Sequence, residues 1–213
     1  MTELTDNLIQ LFCVLICGVY SCFSAITRKS RKWVFVTLFY LSFGIGITYW
    51  ILYIVLFNST PLVFCVSELS WTASYIFLAM RLFSDMPAEE RKSRANLYAW
   101  LLPGFSLIMC IFFFLRGSYL ENISMGTAIA SCGFFAAKGL YFAKRKKQMG
   151  RFYFCGAVLS FYAAEYLLWI SSYFYMDNTL FNPYFLADTF ILNPSLILIA
   201  AAQHKEEKQC RTI

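Results

Sequence analysis

The chain of 213 residues is 60% hydrophobic and only 14% charged, and its formal net charge is +6. Soluble domains carry about 25% charged residues, so this composition excludes an ordinary soluble domain and indicates a surface that mostly faces lipid. The basic residues lie in separate short clusters, as topology determinants do, which argues against a nucleic-acid partner. At about 20 residues per membrane span, the spans leave no room for a soluble domain. We therefore expect one transmembrane domain over residues 1–213.

Seven apolar segments follow one another along the chain, each long enough to cross a bilayer. Helices are predicted for all of them, because an isolated strand cannot satisfy its backbone in lipid and no barrel-like alternation is present. The fold class is therefore all-α, a polytopic bundle of seven transmembrane helices. The predicted spans are about Leu8–Ile26, Trp33–Phe57, Leu62–Phe83, Leu97–Leu115, Ile123–Ala143, Phe152–Phe174 and Phe181–Ala202.

The links between these spans alternate between basic and uncharged or weakly charged. Lys and Arg concentrate in residues 27–32, 84–96, 144–151 and 203–213, whereas residues 58–61 and 175–180 carry none. Arg116 is the exception, in a link of the other set. The positive-inside rule places the N-terminus outside and the C-terminus inside. We expect the plasma (cytoplasmic) membrane as the location.

An internal repeat relates the two halves of the chain. Gly18-Val19-Tyr20 parallels Gly139-Leu140-Tyr141, and the stretch from Asn58 to Glu68 parallels that from Asn178 to Asp188, at an offset of about 120 residues. The pattern predicts two three-helix units in the same orientation. They cover about 8–83 and 123–202, with a linker helix at about 97–115 and a cytoplasmic tail at 203–213.

This 3+1+3 plan resembles that of the SWEET and PQ-loop transporters and, more distantly, that of the microbial rhodopsins. The resemblance covers the whole chain but is architectural. The chain contains no Pro-Gln pair, and the seventh span has no Lys to bind retinal. The resemblance therefore implies the helix count and the repeat, and it transfers no site residue to this chain.

Three carboxylates lie inside the predicted spans: Glu68, Glu165 and Asp188. An acid at membrane depth costs about 2.5–3.5 kcal/mol on insertion scales, so it usually faces the bundle interior and serves a function. Glu68 and Asp188 are expected roughly 9–10 Å below the outer surface, with Glu165 near the midplane. The alternative is that the acids lie near the headgroups.

Aromatic residues share helical faces with these acids. We predict that Trp71, Trp169, Tyr49 and Tyr162 form the walls of an acidic cavity open to the outside. Acids without a cation carry protons or bind a cationic ligand, and aromatic faces suit an ammonium group. The alternative is an ordinary interfacial belt of aromatic side chains.

Two helix-breaking pairs interrupt the predicted spans. Pro103-Gly104 lies in the fourth span and Asn193-Pro194 in the seventh. Such interruptions often flank binding sites in transporters, so both pairs are candidate hinges. A static packing kink is the other interpretation.

These features predict a small secondary transporter or facilitator for a small polar or cationic solute, with proton coupling as an option. The alternatives are a ligand-sensing receptor or signalling subunit, and an accessory subunit of a membrane complex. No catalytic motif points to an enzyme, although an intramembrane acid-pair hydrolase stays open. No cofactor or metal is expected. The expected partners are the lipid bilayer and a small-molecule solute or ligand, with a second copy or another membrane protein left open.

Overall fold

The computed structural model describes residues 2–61, 66–114, 119–175 and 182–211. These residues are helical almost throughout and contain no strand, which confirms the all-α prediction. The α-helices are α1 (Thr2–Arg28), α2 (Arg31–Phe57), α3 (Val66–Ser84), α4 (Ala88–Lys92), α5 (Leu97–Phe114), α6 (Tyr119–Lys146), α7 (Met149–Phe174), α8 (Pro183–Ala187) and α9 (Asn193–Arg211). One π-helical turn, Asp188–Leu192, joins α8 to α9 without a break.

Six helical runs in the described residues are long and apolar enough to cross a membrane. They are Glu3–Arg28, Arg31–Phe57, Leu97–Phe114, Tyr119–Lys146, Met149–Phe174 and Pro183–Gln209. Their outer faces are covered with apolar side chains, such as Leu8, Phe12, Leu15, Val19 and Phe23 along α1. A continuous apolar surface of this kind is stable only against lipid. The protein is therefore an integral, multi-pass membrane protein.

Helix α3 corresponds to the third predicted span but is not one of these six. It carries Glu68 and Arg81 within an otherwise moderately apolar segment, and it packs between α2 and α6. The beginnings of two predicted spans, at Leu62 and Phe181, and the single cation Arg116 lie outside the described residues. The count of seven spans stays a prediction.

Six of the helices follow one another around a ring. Each helix contacts the next in the order α1, α2, α3, α6, α7 and α9, and α9 contacts α1 to close the ring. Helix α5, which corresponds to the predicted linker, packs on α6 outside this ring. Lys29 after α1 and Lys147 after α6 both adopt the left-handed conformation (φ 49° and 55°), 118 positions apart. The repeat itself stays a prediction, as does the orientation in the membrane.

Aromatic rings cross the interior of the ring near the middle of α7. The ring of Phe161 lies 5.4 Å from that of Phe39, 6.0 Å from that of Phe43 and 5.9 Å from that of Tyr75. All four side chains are buried. The pairs of Phe161 with Phe39 and Phe43 are edge-to-face, an arrangement that contributes about 0.5–1.5 kcal/mol per pair beyond burial. We call these four residues the aromatic layer.

The two ends of the bundle differ in charge. The C-terminal ends of α1, α3, α6 and α9 meet the N-terminal ends of α2, α5 and α7 at what we call the basic end, where Arg28, Lys32, Arg81 and Arg151 lie. The opposite end, which holds Asp6 near the start of α1, is the acidic end.

Gly150 lets α7 approach α9 closely at the basic end. A Cβ atom at this position would lie 2.6 Å from Cα of Glu206, and the Gly150 N–H donates to the side chain of Gln209. We predict that Gly150→Ala lowers the free energy of unfolding by about 1–3 kcal/mol, because two backbones must separate. Denaturant unfolding in detergent measures this change.

Gly104→Ala is the matched control, because a Cβ at Gly104 meets nothing within 4 Å. The higher helix propensity of alanine should leave this variant unchanged or stabilise it by up to about 1 kcal/mol. Equal effects of the two substitutions would contradict the close contact between α7 and α9.

Candidate functional site

Polar side chains from α1 and the π-helical turn meet inside the ring, on the acidic side of the aromatic layer. The Gln10 Nε2 group donates to Asp188 Oδ1 at 2.6 Å, and the Thr189 hydroxyl donates to Asp6 Oδ1 at 2.9 Å. Asp6 is 4% exposed and Asp188 2%. These contacts join the beginning of the chain to the last membrane helix.

The carboxyl groups of Asp6 and Asp188 also lie within hydrogen-bonding reach of each other. An ionised carboxylate only accepts hydrogen bonds, so a bond between two carboxyl groups needs a proton on one of them. Asp6 Oδ2 has no donor among the described groups. This oxygen therefore depends on a proton or on a bound cation.

Glu165 lies on α7, one turn beyond Phe161 towards the acidic end. It is 3% exposed, and its carboxyl forms a hydrogen bond with the hydroxyl of Tyr75. It also lies within electrostatic range of Asp188. Its Oε1 atom is buried and has no donor among the described groups. We call Asp6, Glu165 and Asp188 the acidic cluster.

Among the described residues, no Lys or Arg forms an ion pair with a member of the acidic cluster, whereas Arg28, Lys32, Arg81, Lys146 and Arg151 form ion pairs at the basic end. A buried carboxylate without a partner is strongly unfavourable. Each of these groups must therefore hold a proton, share one, or bind a cation. The described residues contain no group of three or more His, Cys, Asp or Glu side chains suited to a metal ion.

The backbone changes its winding next to Asp188. The Asn193 N–H donates to the carbonyl of Asp188, which gives the π-helical turn, and Pro194 follows without an N–H of its own. Both polar atoms of the Asn193 side chain are buried without a partner among the described groups. Short π-helical segments occur frequently at functional sites. One predicted hinge, Asn193-Pro194, thus lies directly beside the cluster.

The other predicted hinge, Pro103-Gly104, lies within a continuous α5. The structure shows no change of winding at this pair. Gly104 faces open space, on a helix that packs on the outside of the ring. This pair therefore lies on a helix that carries no member of the acidic cluster.

Glu68, the third predicted acid, has a different acidic neighbour. Its carboxyl accepts a hydrogen bond from the Ser67 hydroxyl at 2.8 Å, and it lies within electrostatic range of Glu121 on α6. Glu68 is buried at the start of the described part of α3. The structure therefore places Glu165 within electrostatic range of Asp188, and Glu68 within electrostatic range of Glu121.

Trp71 is half-buried and packs against the core of the bundle. Its indole ring covers Gly46, where a Cβ atom would lie 2.6 Å from Trp71 Nε1. The ring also packs against Phe43 of the aromatic layer and against Trp50, with centroids 6.5 and 5.8 Å away. A residue larger than glycine at position 46 would displace this indole.

The other three predicted wall residues point elsewhere. The Tyr162 hydroxyl donates to the Leu102 carbonyl of α5 at 2.9 Å, and Trp169 packs edge-on against Phe113 of the same helix. Tyr49 lines a groove between α1 and α2. The structure does not bring these aromatic side chains to the acidic cluster.

Asp6, Gln10 and Tyr75 are site residues that the sequence analysis missed. Asp6 and Gln10 are one helical turn apart, on one face of the first helix, and this spacing is the signal that could have identified them. Because the predicted first span begins at Leu8, Asp6 was outside the membrane segment. Tyr75 had no distinguishing pattern among 14 tyrosines.

The basic end is held by an ion network centred on Arg81. This side chain is 0% exposed, and it donates to Glu206 and to Gln203, both at 2.7 Å. Its guanidinium lies 4.4 Å from the centre of the Phe154 ring. Removal of one partner from a buried ion pair typically costs about 3–5 kcal/mol.

Loop residues extend this network to the neighbouring helices. Asp85 contacts Lys32 at 2.7 Å, Arg151 at 3.3 Å and Arg81 at 3.4 Å, and Glu90 contacts Arg151 at 2.8 Å. A second pair, Arg28–Glu207 at 2.6 Å, connects α1 to α9. The sequence predicted the cations as topology determinants, but it did not predict that they pair with these carboxylates.

The loop carboxylates respond differently to this environment. Burial raises the pKa of Asp85, but the charges of Arg81 and Lys32 outweigh burial, so its pKa lies below the usual value. Burial raises the pKa of Glu90 more than Arg151 lowers it, so that pKa lies above the usual value. Asp85 therefore contributes stability as an anion.

Comparison with known protein-family models, with curated proteins and with solved structures gives no match.

We predict that Asp85→Asn lowers the free energy of unfolding by about 1–3 kcal/mol at pH 7, the usual contribution of hydrogen bonds to charged groups. Because the folded-state pKa of Asp85 is depressed, its contribution is complete above the unfolded value of 3.8 and is lost as pH falls through the folded-state value. The difference between wild type and variant should therefore shrink below about pH 3.8. Unfolding in detergent across pH measures this.

Glu89→Gln is the control for the same loop. Glu89 pairs with Lys146 at 2.6 Å, but both side chains are well exposed. Exposed pairs contribute little, so unfolding of this variant should follow wild type at every pH. A pH-independent loss in Asp85→Asn would show that packing, rather than its charge, stabilises the loop.

Proposed function

We propose that this protein is a small secondary transporter that exchanges protons for a small organic cation at the acidic cluster. The observation that carries this proposal is the burial of Asp6, Glu165 and Asp188 without an ion-pair partner among the described residues. Such acids are costly in a membrane unless they have a function.

The chemistry of the cluster favours exchange. When no cation is bound, Asp6 and Asp188 share a proton across their hydrogen bond. A cation that enters the cluster supplies the positive charge, and the proton leaves to water at the open side. Protonation of the same carboxyl groups then releases the cation. The proton and the organic cation therefore compete for the acidic cluster, which binds them in turn.

The unpartnered atoms favour a cation over a neutral solute. Asp6 Oδ2 and Glu165 Oε1 are acceptors that lack donors among the described groups. An ammonium or guanidinium group would donate to either oxygen and would also neutralise its charge. The ring of Tyr75 lies beside Glu165 and that of Tyr184 lies near Asp188, and aromatic faces attract organic cations.

The bundle is closed on one side of the cluster. The aromatic layer lies between Glu165 and the basic end, and the ion network of Arg81, Glu206 and Arg151 joins the helices at that end. Access to the cluster is therefore proposed from the acidic end, which the sequence predicts to face outside. Release of the cation at the basic end would require the ion pairs of this network to separate.

Helix α9 connects the site to this network. It begins beside Asp188 at the π-helical turn and carries Glu206 and Glu207 at its other end. A pivot at Asn193-Pro194 would move both carboxylates away from Arg81 and Arg28. Interrupted helices next to a binding site are common in secondary transporters.

The same connection supports a second candidate function. A ligand that binds the cluster and tilts α9 would transmit a signal to the basic end without transport. Uptake measurements distinguish this receptor from a transporter. The accessory-subunit reading is less favoured, because the acids face the interior of the ring rather than an outer surface.

The first test measures uptake of radiolabelled methylammonium, guanidine and choline into proteoliposomes with an imposed pH gradient. We predict pH-driven uptake of at least one cation by wild type, and uptake at the level of empty liposomes for Glu165→Gln. Glu68→Gln, whose carboxyl has a different acidic neighbour, should retain more than half of the rate. Equal rates for wild type and Glu165→Gln would refute the proposal.

Absence of uptake in a folded wild-type preparation, together with a cation-dependent rise in the unfolding temperature, would support the receptor instead. Absence of both effects would reject a cation site. Each variant is compared with wild type by size-exclusion chromatography, so that a folding defect is recognised.

A further prediction concerns the shared proton. In Asp188→Asn, the amide NH₂ group of the new side chain can donate a hydrogen bond to the Asp6 carboxylate. This bond needs no proton shared between two carboxyl groups. We therefore expect the unfolding temperature of this variant at pH 7 to be equal to or above that of wild type. Cation uptake should be lost, because substitutions that stabilise a functional site often abolish its activity. Asp188→Asn that transports normally, or that fails to fold, would contradict a proton-sharing pair.

A further inference from the structure

A long groove runs along the outside of the bundle between α5 and α7, with α6 as its floor. It has a volume of about 1140 Å³ and an almost entirely apolar lining, which includes Leu101 and Phe105 from α5, Leu140 from α6, and Leu159 and Leu167 from α7. Leu101, Phe105 and Leu167 are exposed. Because α5 lies outside the ring, this groove opens sideways to the bilayer.

The groove becomes basic at one end only. Its lining includes Lys144, Arg145 and Asn96 where α6 ends and α5 begins. Among the described side chains, no carboxylate lies within ion-pair distance of Lys144 or Arg145, whereas the adjacent Lys146 is paired with Glu89 at 2.6 Å. Two unpaired cations therefore lie at the level where lipid headgroups meet the basic end.

The length of the groove matches a lipid chain. Its lining along α7 extends from Phe152 to Ile170, which spans roughly 27 Å at 1.5 Å per residue. The hydrocarbon of one leaflet is about 15 Å thick, half of the bilayer core. The groove thus accommodates a whole acyl chain that begins at the cationic end.

We propose that this groove is a binding site for an anionic glycerophospholipid from the leaflet at the basic end. The phosphate lies between Lys144 and Arg145, and one acyl chain follows the apolar groove along α7. Charge complementarity selects the headgroup, because basic pockets between helices bind anionic lipids. The apolar walls and the lateral opening favour a membrane lipid over a soluble phosphate.

Tyr162 connects the groove to the helix that carries Glu165. Tyr162 lines the groove, bonds to Leu102 of α5, and precedes Glu165 by three residues on α7. A bound lipid would fill the space between α5 and α7 at this level. The inference stands on the groove and its charges, and it does not depend on the proposed transport activity.

The test is native mass spectrometry of the detergent-purified protein, titrated with dioleoylphosphatidylglycerol or dioleoylphosphatidylcholine. We expect wild type to bind the first phosphatidylglycerol at least tenfold more tightly than phosphatidylcholine. The double variant Lys144→Gln/Arg145→Gln should lose roughly 10- to 30-fold in affinity for phosphatidylglycerol, as expected for two phosphate-contacting cations. Both positions are exposed, so the variant should fold.

Lys146→Gln/Lys147→Gln is the matched control, because it removes the same charge from the same segment outside the groove. The affinity of this control variant for phosphatidylglycerol should fall by less than threefold. Equal losses in the two double variants, or equal affinity of wild type for the two lipids, would overturn the proposal.

A second arm tests the acyl chain. Ala163→Phe narrows the groove halfway along α7, and Ala201→Phe adds the same ring to an exposed position on α9. Only Ala163→Phe should weaken phosphatidylglycerol binding, and sn-glycerol 3-phosphate should not compete. Competition by this soluble phosphate, or full binding in Ala163→Phe, would show that no chain occupies the groove.

Discussion

A charge removed from water inside a helical bundle needs a partner, and the two ends of this bundle meet that requirement differently. At the basic end, Arg81 is fully buried yet surrounded by Glu206, Gln203 and Asp85. At the acidic end, the neighbours of the Asp6 and Asp188 carboxyl groups among the described hydrogen-bonding groups are each other and the neutral donors Gln10 and Thr189. The first arrangement holds helices together, and the second is where we propose that an exchangeable positive charge binds. The proposed transport cycle uses this asymmetry.

Helix α9 and the π-helical turn before it relate these two ends. One continuous segment carries Asp188 at the acidic cluster and Glu206 at the ion network. A rigid helix of this length moves as a unit, so a change at the turn changes the distance between Glu206 and Arg81. The aromatic layer around Phe161 separates the two polar regions. Opening towards the basic end therefore requires both the layer and the network to rearrange.

Helix α5 has a different role from the ring helices. Its main neighbour is α6, and the lipid-facing groove lies between α5 and α7. Its position outside the ring is the one expected for a linker between two three-helix repeats. Lys29 and Lys147 both adopt the left-handed conformation, and their separation of 118 positions is close to the offset of the predicted repeat. A lipid in the groove would add to the direct contact that Tyr162 of α7 makes with Leu102 of α5.

The amino-acid sequence by itself determined the all-α class and the membrane location, because the length of an apolar segment is a local property. It also identified Asn193-Pro194 as an interruption. Only the tertiary structure decided that Asp188 meets Asp6 and Gln10, which lie 178 or more positions away, and that Glu68 neighbours Glu121 instead. Helical periodicity tells which residues share a face, but the neighbour of that face depends on which helices pack side by side. That order is a property of the whole bundle.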